Sequence, residues 1–155
     1  MVEHARILVV DDDESIRKTL EAILRGKGYH VDTAENGKQA IEKTNNDFYN
    51  VALIDVRLPD MDGTELIGRL KETEPRMAKI ILTGFPSQQN AIDAVNKGAD
   101  GYVLKPFDAA GLLMTIEKHL KRQKESIKYS GEKVAEYIET RVRELEQEKK
   151  SDRAP

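Results

Sequence analysis

The chain has 155 residues, 39% hydrophobic and 34% charged, which allows one compact core with some chain to spare. It has no apolar run near the ~18 residues that span a bilayer, and the opening MVEHARILVVDDD is too briefly apolar for a signal peptide, so no membrane contact and a cytoplasmic location are expected. No cysteine, a formal net charge of −3 and a pI near 5.7 exclude disulfides, thiolate nucleophiles and Cys-based zinc sites, and argue against direct nucleic-acid binding.

Short apolar runs alternate with helical patterns from the start of the chain. RILVV (6–10) reads as a first strand, followed by a helix marked by Ile16, Leu20, Ile23 and Leu24. YHVDTA (29–34) is a second strand, followed by a helix around Ala40 and Ile41. VALI (51–54) is a third, with a helix at Leu66, Ile67 and Leu70 after it. KIIL (79–82) is a fourth, with Ala91, Ile92 and Val95 marking the next helix. GYVL (101–104) is a fifth, and Leu112, Leu113, Ile116 and Leu120 mark a fifth helix. Gly26, Gly28 and Gly98 look like left-handed helix ends that feed the following strand. The first, third and fourth runs lack in/out alternation, as strands covered on both faces do. Strict alternation with right-handed crossovers predicts an α/β fold with a doubly wound, five-stranded parallel sheet, and a ligand crevice at the carboxyl ends of its strands.

Composition shifts near residue 126, where SIKYSGEKVAEYIETRVRELEQEKKSDRAP carries seven basic and seven acidic residues and favours helix. The expected organisation is a globular domain at 1–124 and a charged helical extension at 125–155, with the final SDRAP disordered. Ala135, Ile138, Val142 and Leu145 form a narrow apolar stripe along that helix. Glu139 with Arg143, and Glu146 with Lys150, are i,i+4 pairs that add only about 0.2–0.5 kcal/mol each. Ser130-Gly131 is expected to interrupt continuity with the fifth helix. The extension is therefore expected to fold back on its own domain, to fray, or to pair with a second copy or a partner.

At the predicted crevice, Asp11, Asp12 and Asp13 follow the first strand, Asp55 the third, Thr83 ends the fourth and Lys105 the fifth. A single Asp at a strand end is most often a turn former or helix cap, and Asp13 or Ser15 suits that role. Clustered carboxylates repel, however, and stay ionised only if a cation neutralises them or their pKa values rise. Oxygen ligands without histidine or cysteine favour Mg²⁺ or Mn²⁺ with open coordination positions. Lys105 at the same edge can pair with Asp55 and contact an oxyanion that replaces it, and the Thr83 hydroxyl can donate to such an oxyanion.

In this order and spacing, ILVVDDD, LIDVRLPDMDG, ILTG and GYVLKPF resemble the receiver domain of two-component response regulators, over about residues 5–122. The resemblance implies a flavodoxin-like (βα)5 fold and a phosphorylation switch. It implies that Asp55 accepts the phosphoryl group, that Asp12, Asp55 and the backbone carbonyl of Arg57 ligate Mg²⁺, and that Asp11 acts through a metal-bound water. Thr83 and Lys105 would complete the site, and Tyr102 would be the switch aromatic that moves as Thr83 shifts. Pro59, Met61, Asp62 and Gly63 match the loop after the acceptor, and Lys105-Pro106 is similar to the family's cis peptide. The implied partners are a sensor histidine kinase or phosphotransfer protein, and a downstream protein at the face of fourth helix, fifth strand and fifth helix, around residues 88–122. That face or the C-terminal helix would also serve any homodimer.

Two features depart from the family or add to it. Gly84 stands where the family more often has alanine, and Arg57 places a long cation beside the site. A haloacid-dehalogenase type phosphatase also uses an aspartyl phosphate, but it wants a second acid two residues beyond the nucleophile, where Arg57 stands. A phosphorylation-independent interaction module of the same fold is the alternative, although such modules lack part of the acid, Asp, Thr and Lys set. The expected protein is a self-modifying switch rather than a turnover enzyme.

Overall fold

The computed structural model describes residues 5–84 and 97–152. Five strands, β1 (Arg6–Val10), β2 (His30–Ala34), β3 (Val51–Asp55), β4 (Ala78–Thr83) and β5 (Gly101–Leu104), form one sheet in the order β2-β1-β3-β4-β5, every pairing parallel. Three helices are interleaved, α1 (Glu14–Gly26), α2 (Gly37–Asn46) and α3 (Gly63–Arg69), and a C-terminal helix runs from Ala109 to Asp152. The expected helix around Ala91, Ile92 and Val95 lies outside the described residues.

The apolar strands are buried on both faces because helices cover both. On one side Ile7, Val9, Leu53, Ile80 and Leu82 pack with Leu20 and Leu24 of α1 and with Leu112, Ile116 and Leu120 of the C-terminal helix. On the other, Leu8, Val10, Ile54 and Ile81 pack with Ala40 of α2 and with Leu66 and Ile67 of α3. β1, β3 and β4 are almost wholly buried, whereas the edge strand β5 is half-buried. Strand order reverses between β1 and β3, so the segments leaving those two strands part to opposite faces and open a crevice there.

Local signals set the helix starts. Asp13 caps α1 by accepting from the Ile16 amide at 3.2 Å, which settles the choice between Asp13 and Ser15. Asn36 caps α2 through the Gln39 amide at 2.8 Å, and the Gln39 side chain returns the bond to the Glu35 amide at 2.9 Å. Gly28 and Gly98 adopt the left-handed conformation, at φ 97° and 101°. Gly26 does not. It stays inside α1 because the turn falls two residues later.

Two expectations about the tail fail. Ser130-Gly131 does not break the chain, which continues as one helix of 44 residues from Ala109 to Asp152, about 66 Å at 1.5 Å per residue. A single glycine costs about 1 kcal/mol in a helix otherwise built of good formers, too little to end it. Nor does the tail fold back, since every described side chain from 124 to 149 is exposed. Of SDRAP, Ser151 and Asp152 belong to the helix, and the rest of that expectation lies outside the described residues. The body holds only the first turns. Leu112, Ile116 and Leu120 together supply roughly 5–9 kcal/mol of apolar burial, Gln123 donates to the carbonyls of Asn50 at 3.1 Å and Arg76 at 2.7 Å, and Ile127 still lines a groove beside Pro75 and Arg76.

Candidate functional site

The carboxyl ends of β1 and β3 bring Asp11, Asp12 and Asp55 together, with one carboxylate oxygen from each lying within 4.8 Å of the others. Their environments differ. Asp11 is fully buried, Asp12 is exposed and Asp55 lies between, its side chain 14% exposed. Asp11 is held on every side: one oxygen accepts from the Asp13 amide at 2.9 Å and the other from the Lys105 ammonium at 2.9 Å, while Arg17 donates to its backbone carbonyl at 2.8 Å.

Lys105 arrives from the end of β5, where its amide donates to the Thr83 carbonyl at 2.7 Å and so joins the ends of β4 and β5. The Lys105-Pro106 peptide is cis, as the resemblance implied. The Lys105 ammonium lies 2.9 Å from Asp11 and 3.3 Å from Asp55, so at rest it bridges both acids rather than Asp55 alone. Burial works to lower its pKa, but the hydrogen bond and charge of Asp11, with the charge of Asp55, outweigh that and leave it raised. Asp55 is pushed the opposite way from an ordinary paired carboxylate. Burial and then repulsion from Asp11 raise its pKa, only partly offset by Lys105 and the Arg57 amide. One ammonium among three carboxylates leaves the site short of positive charge. With oxygen donors alone, one of them exposed, the residues fit a hard divalent cation that keeps part of its water shell.

Thr83 sits buried at the end of β4, beside this cluster in the sheet. Tyr102 does not join the carboxylates. Its ring packs against the core cluster on the α2 and α3 side, and its hydroxyl is buried without a hydrogen-bond partner among the described residues. Gly84 is exposed, and among the described residues an added methyl there would meet nothing nearer than Lys105 Cβ at 3.9 Å.

The loop from β3 to α3 is fastened at several points, one of which, Asp60, the motif reading overlooked. Gly63 donates to the Val56 carbonyl at 2.8 Å, and a Cβ at Gly63 would lie 2.2 Å from the Asp55 carbonyl oxygen. Only glycine permits that approach. Asp60 accepts from the amides of Gly37 and Lys38, both at 2.9 Å, which lowers its pKa and ties the loop to the start of α2. Its partners are backbone groups and leave no side-chain signature. Arg17, 13% exposed, supports the end of β1 instead, through the Asp11 carbonyl, and pairs with Glu35 at 3.5 Å.

Comparison with known proteins agrees with this geometry. Residues 7–117 match the family model described as the response regulator receiver domain. The transcriptional regulatory protein ZraR of Klebsiella oxytoca is 40% identical over 118 residues, 76% of this chain and 27% of that protein. The DNA-binding transcriptional regulator NtrC of Escherichia coli K12 is 36% identical over 119 residues, 77% of this chain and 25% of its own length. The chain thus spans about a quarter of the curated relatives it matches. A CheY-like receiver domain protein from Methanospirillum hungatei JF-1 superposes with a TM-score of 0.75 at 40% identity, covering 79% of this chain and 98% of that one. Among the described residues no helix is long and apolar enough to cross a membrane.

Proposed function

The chain belongs to the response regulator receiver family, and from that premise we propose that it is switched by transfer of a phosphoryl group to Asp55 from a sensor histidine kinase, a phosphotransfer protein or a small phosphodonor. The observation that carries the reading is the three-carboxylate cluster with Lys105 bridging Asp11 and Asp55. Asp12, Asp55 and the Arg57 carbonyl would hold Mg²⁺ or Mn²⁺, with Asp11 acting through water, and the bound cation would neutralise charge on the phosphoryl oxygens.

Asp55 attacks phosphorus with a carboxylate oxygen and the donor's bridging bond breaks, leaving an acyl phosphate that water later hydrolyses. Its raised pKa comes first from burial and then from the neighbouring Asp11, and Lys105 with the cation the carboxylates would hold offsets the negative charge that the phosphoryl group adds. Lys105 keeps its proton and moves from Asp55 toward a phosphoryl oxygen, losing no charge pairing in the exchange. The buried Thr83 hydroxyl donates to another phosphoryl oxygen. Movement of Thr83 then opens space beside Tyr102, whose partnerless hydroxyl gains a route to a new hydrogen bond when the ring turns. The readout would be the face of fourth helix, fifth strand and fifth helix, offered to a downstream protein. As a switch the chain performs one internal turnover and is no enzyme in the usual sense.

The test is phosphodonor labelling. Acetyl phosphate with Mg²⁺ should give a single phosphoryl adduct by intact mass on the wild type and none on Asp55→Asn, whose amide is no nucleophile. Equal labelling of both proteins would refute the assignment.

A further inference from the structure

A groove of about 760 Å³ lies at the amino ends of β4 and β5, the other end of the sheet from the three carboxylates. Residues 74–76 with Ala78 and Asp100 form one wall, and the C-terminal helix from 119 to 127 forms the other. Contacts already made hold these walls in place. Gln123 donates to the Arg76 carbonyl at 2.7 Å, while Arg76 pairs with Asp100 and donates to the Gly98 carbonyl at 3.2 Å. The second Asp100 oxygen accepts from the Lys79 amide at 2.9 Å. Asp100 is thus satisfied within its own wall.

The helix wall carries polar groups without partners. His119 is 8% exposed and lines the groove, yet its ring makes no hydrogen bond among the described residues. Gly101 makes room for it, since an added Cβ there would lie 2.8 Å from His119 Nε2. A polar ring held out of water gains from any ligand that pairs with it. Arg122 and Ser126 follow on the same helix face, three and seven residues further on. Among the described residues Arg122 has no ion pair and the Ser126 hydroxyl no hydrogen bond. Pro75 and Ile127, the latter 52% exposed, add apolar surface. A preformed concavity with apolar lining and a few convergent polar groups is the kind of site that small molecules bind.

We propose that this groove binds a small amphipathic monoanion, its carboxylate set between Arg122 and His119 and its apolar body against Pro75 and Ile127. Charge fixes the class. Arg76 is already neutralised by Asp100, whereas Arg122 has no acid of its own, so the ligand brings one negative charge. Glu74, exposed on the facing rim, repels a second one, so a phosphate ester or dicarboxylate suits the groove less. His119 points the same way. Burial, and then the cations Arg122 and Lys118, hold its pKa down against the pull of Asp100, and a carboxylate bound beside the ring opposes both cations. A ligand touching both walls also fastens the helix to the body as far as Ile127.

The probe is 4-phenylbutyrate, titrated into the isotope-labelled full chain and followed by NMR without Mg²⁺ or phosphodonor, so the outcome is independent of the Asp55 chemistry. Saturable shifts should appear at the amides of Arg76, Gln123 and Ile127 and at the His119 ring, with a Kd of about 1 mM or tighter, while Asp11 and Asp55 stay unmoved. The His119 ring pKa should rise in the complex. Two controls separate head from body. 4-Phenylbutanol, which lacks the charge, and acetate, which lacks the body, should each bind at least about tenfold more weakly. Arg122 is exposed and supports no other side chain through an ion pair among the described residues, so Arg122→Gln should keep the wild-type melting temperature and lose about tenfold in affinity for 4-phenylbutyrate. Saturation at these residues with that loss supports the proposal. Absence of saturable shifts, equal affinity for the alcohol, or an Arg122→Gln protein that binds like wild type overturns it.

Discussion

Gly63→Ala tests how the acceptor loop is held. An ideal Cβ at Gly63 lies 2.2 Å from the Asp55 carbonyl oxygen, 3.1 Å from its carbon and 3.1 Å from Ile54 Cγ2. Ordinary contact begins near ~3.5 Å, so backbone must move by about 1 Å, and backbone cannot rotate aside as a side chain does. Forced overpacking costs about 1–3 kcal/mol. Weakening the 2.8 Å bond from the Gly63 amide to the Val56 carbonyl adds about 0.5–1.5 kcal/mol. Alanine's better helix propensity returns about 0.5–1 kcal/mol, leaving a net loss of about 0.5–4 kcal/mol. At about 2–4 °C per kcal/mol for a chain of this size, the melting temperature should fall by roughly 1–16 °C. Labelling should suffer more than folding, because the displaced atom belongs to the acceptor residue and a 1 Å misplacement can cost about a hundredfold in rate. Gly37→Ala is the control: the three atoms nearest its Cβ, at 2.5–2.7 Å, all belong to the flexible Met61 side chain, which can swing away. Calorimetry and acetyl phosphate labelling of both variants decide the matter. A Gly63→Ala protein that melts and labels like wild type, or a Gly37→Ala protein equally damaged, would refute the reasoning.

Asp12→Ala should reduce Mg²⁺ affinity in a fluorescence or calorimetric titration far more than Asp13→Ala, whose side chain already caps α1; equal losses would show the wrong acid was chosen. Lys105→Ala should leave metal binding in place but remove the phosphorylation-dependent change around Tyr102, so a normal set of phosphorylation-induced NMR shifts in that variant would count against the bridge at 2.9 and 3.3 Å. His119 is 8% exposed and its pKa is lowered, by burial first and then by the nearby cations Arg122 and Lys118 against the pull of Asp100. The unfolded chain therefore binds the proton more readily, and the stability tied to neutral His119 is present above the unfolded pKa of about 6.5 and lost as pH falls below it. Melting temperatures from about pH 8 to 5 should fall more steeply for wild type than for His119→Leu; parallel curves would remove His119 from the balance.

Much of this was legible in the sequence because its signals were local or repeated. The strands were legible as unbroken apolar runs, since both faces are covered, and the strand-end residues Asp11, Asp12, Asp55, Thr83 and Lys105 followed once the runs were placed. Lys79 was not legible as a buried residue: it is 2% exposed within an apolar strand, and composition cannot show which way its stem runs to reach Glu72 at 3.5 Å. Asp60 was passed over because its partners are the amides of Gly37 and Lys38, which any sequence would offer. Gly131 seemed a terminator because nothing local reveals that the helix continues past it. Gly26 and Gly28 were indistinguishable as helix ends until the backbone showed which one turns left.

The measurement that bears most directly on the central claim is localisation of the phosphoryl group by borohydride trapping. An aspartyl acyl phosphate is reduced to homoserine, while phosphate esters of serine or threonine are untouched. After treatment with acetyl phosphate and Mg²⁺, followed by reduction and peptide sequencing by mass spectrometry, homoserine should appear at position 55 alone. Homoserine at Asp11 or Asp12, or at no aspartate in a chain that carries the adduct, would contradict Asp55 as the acceptor.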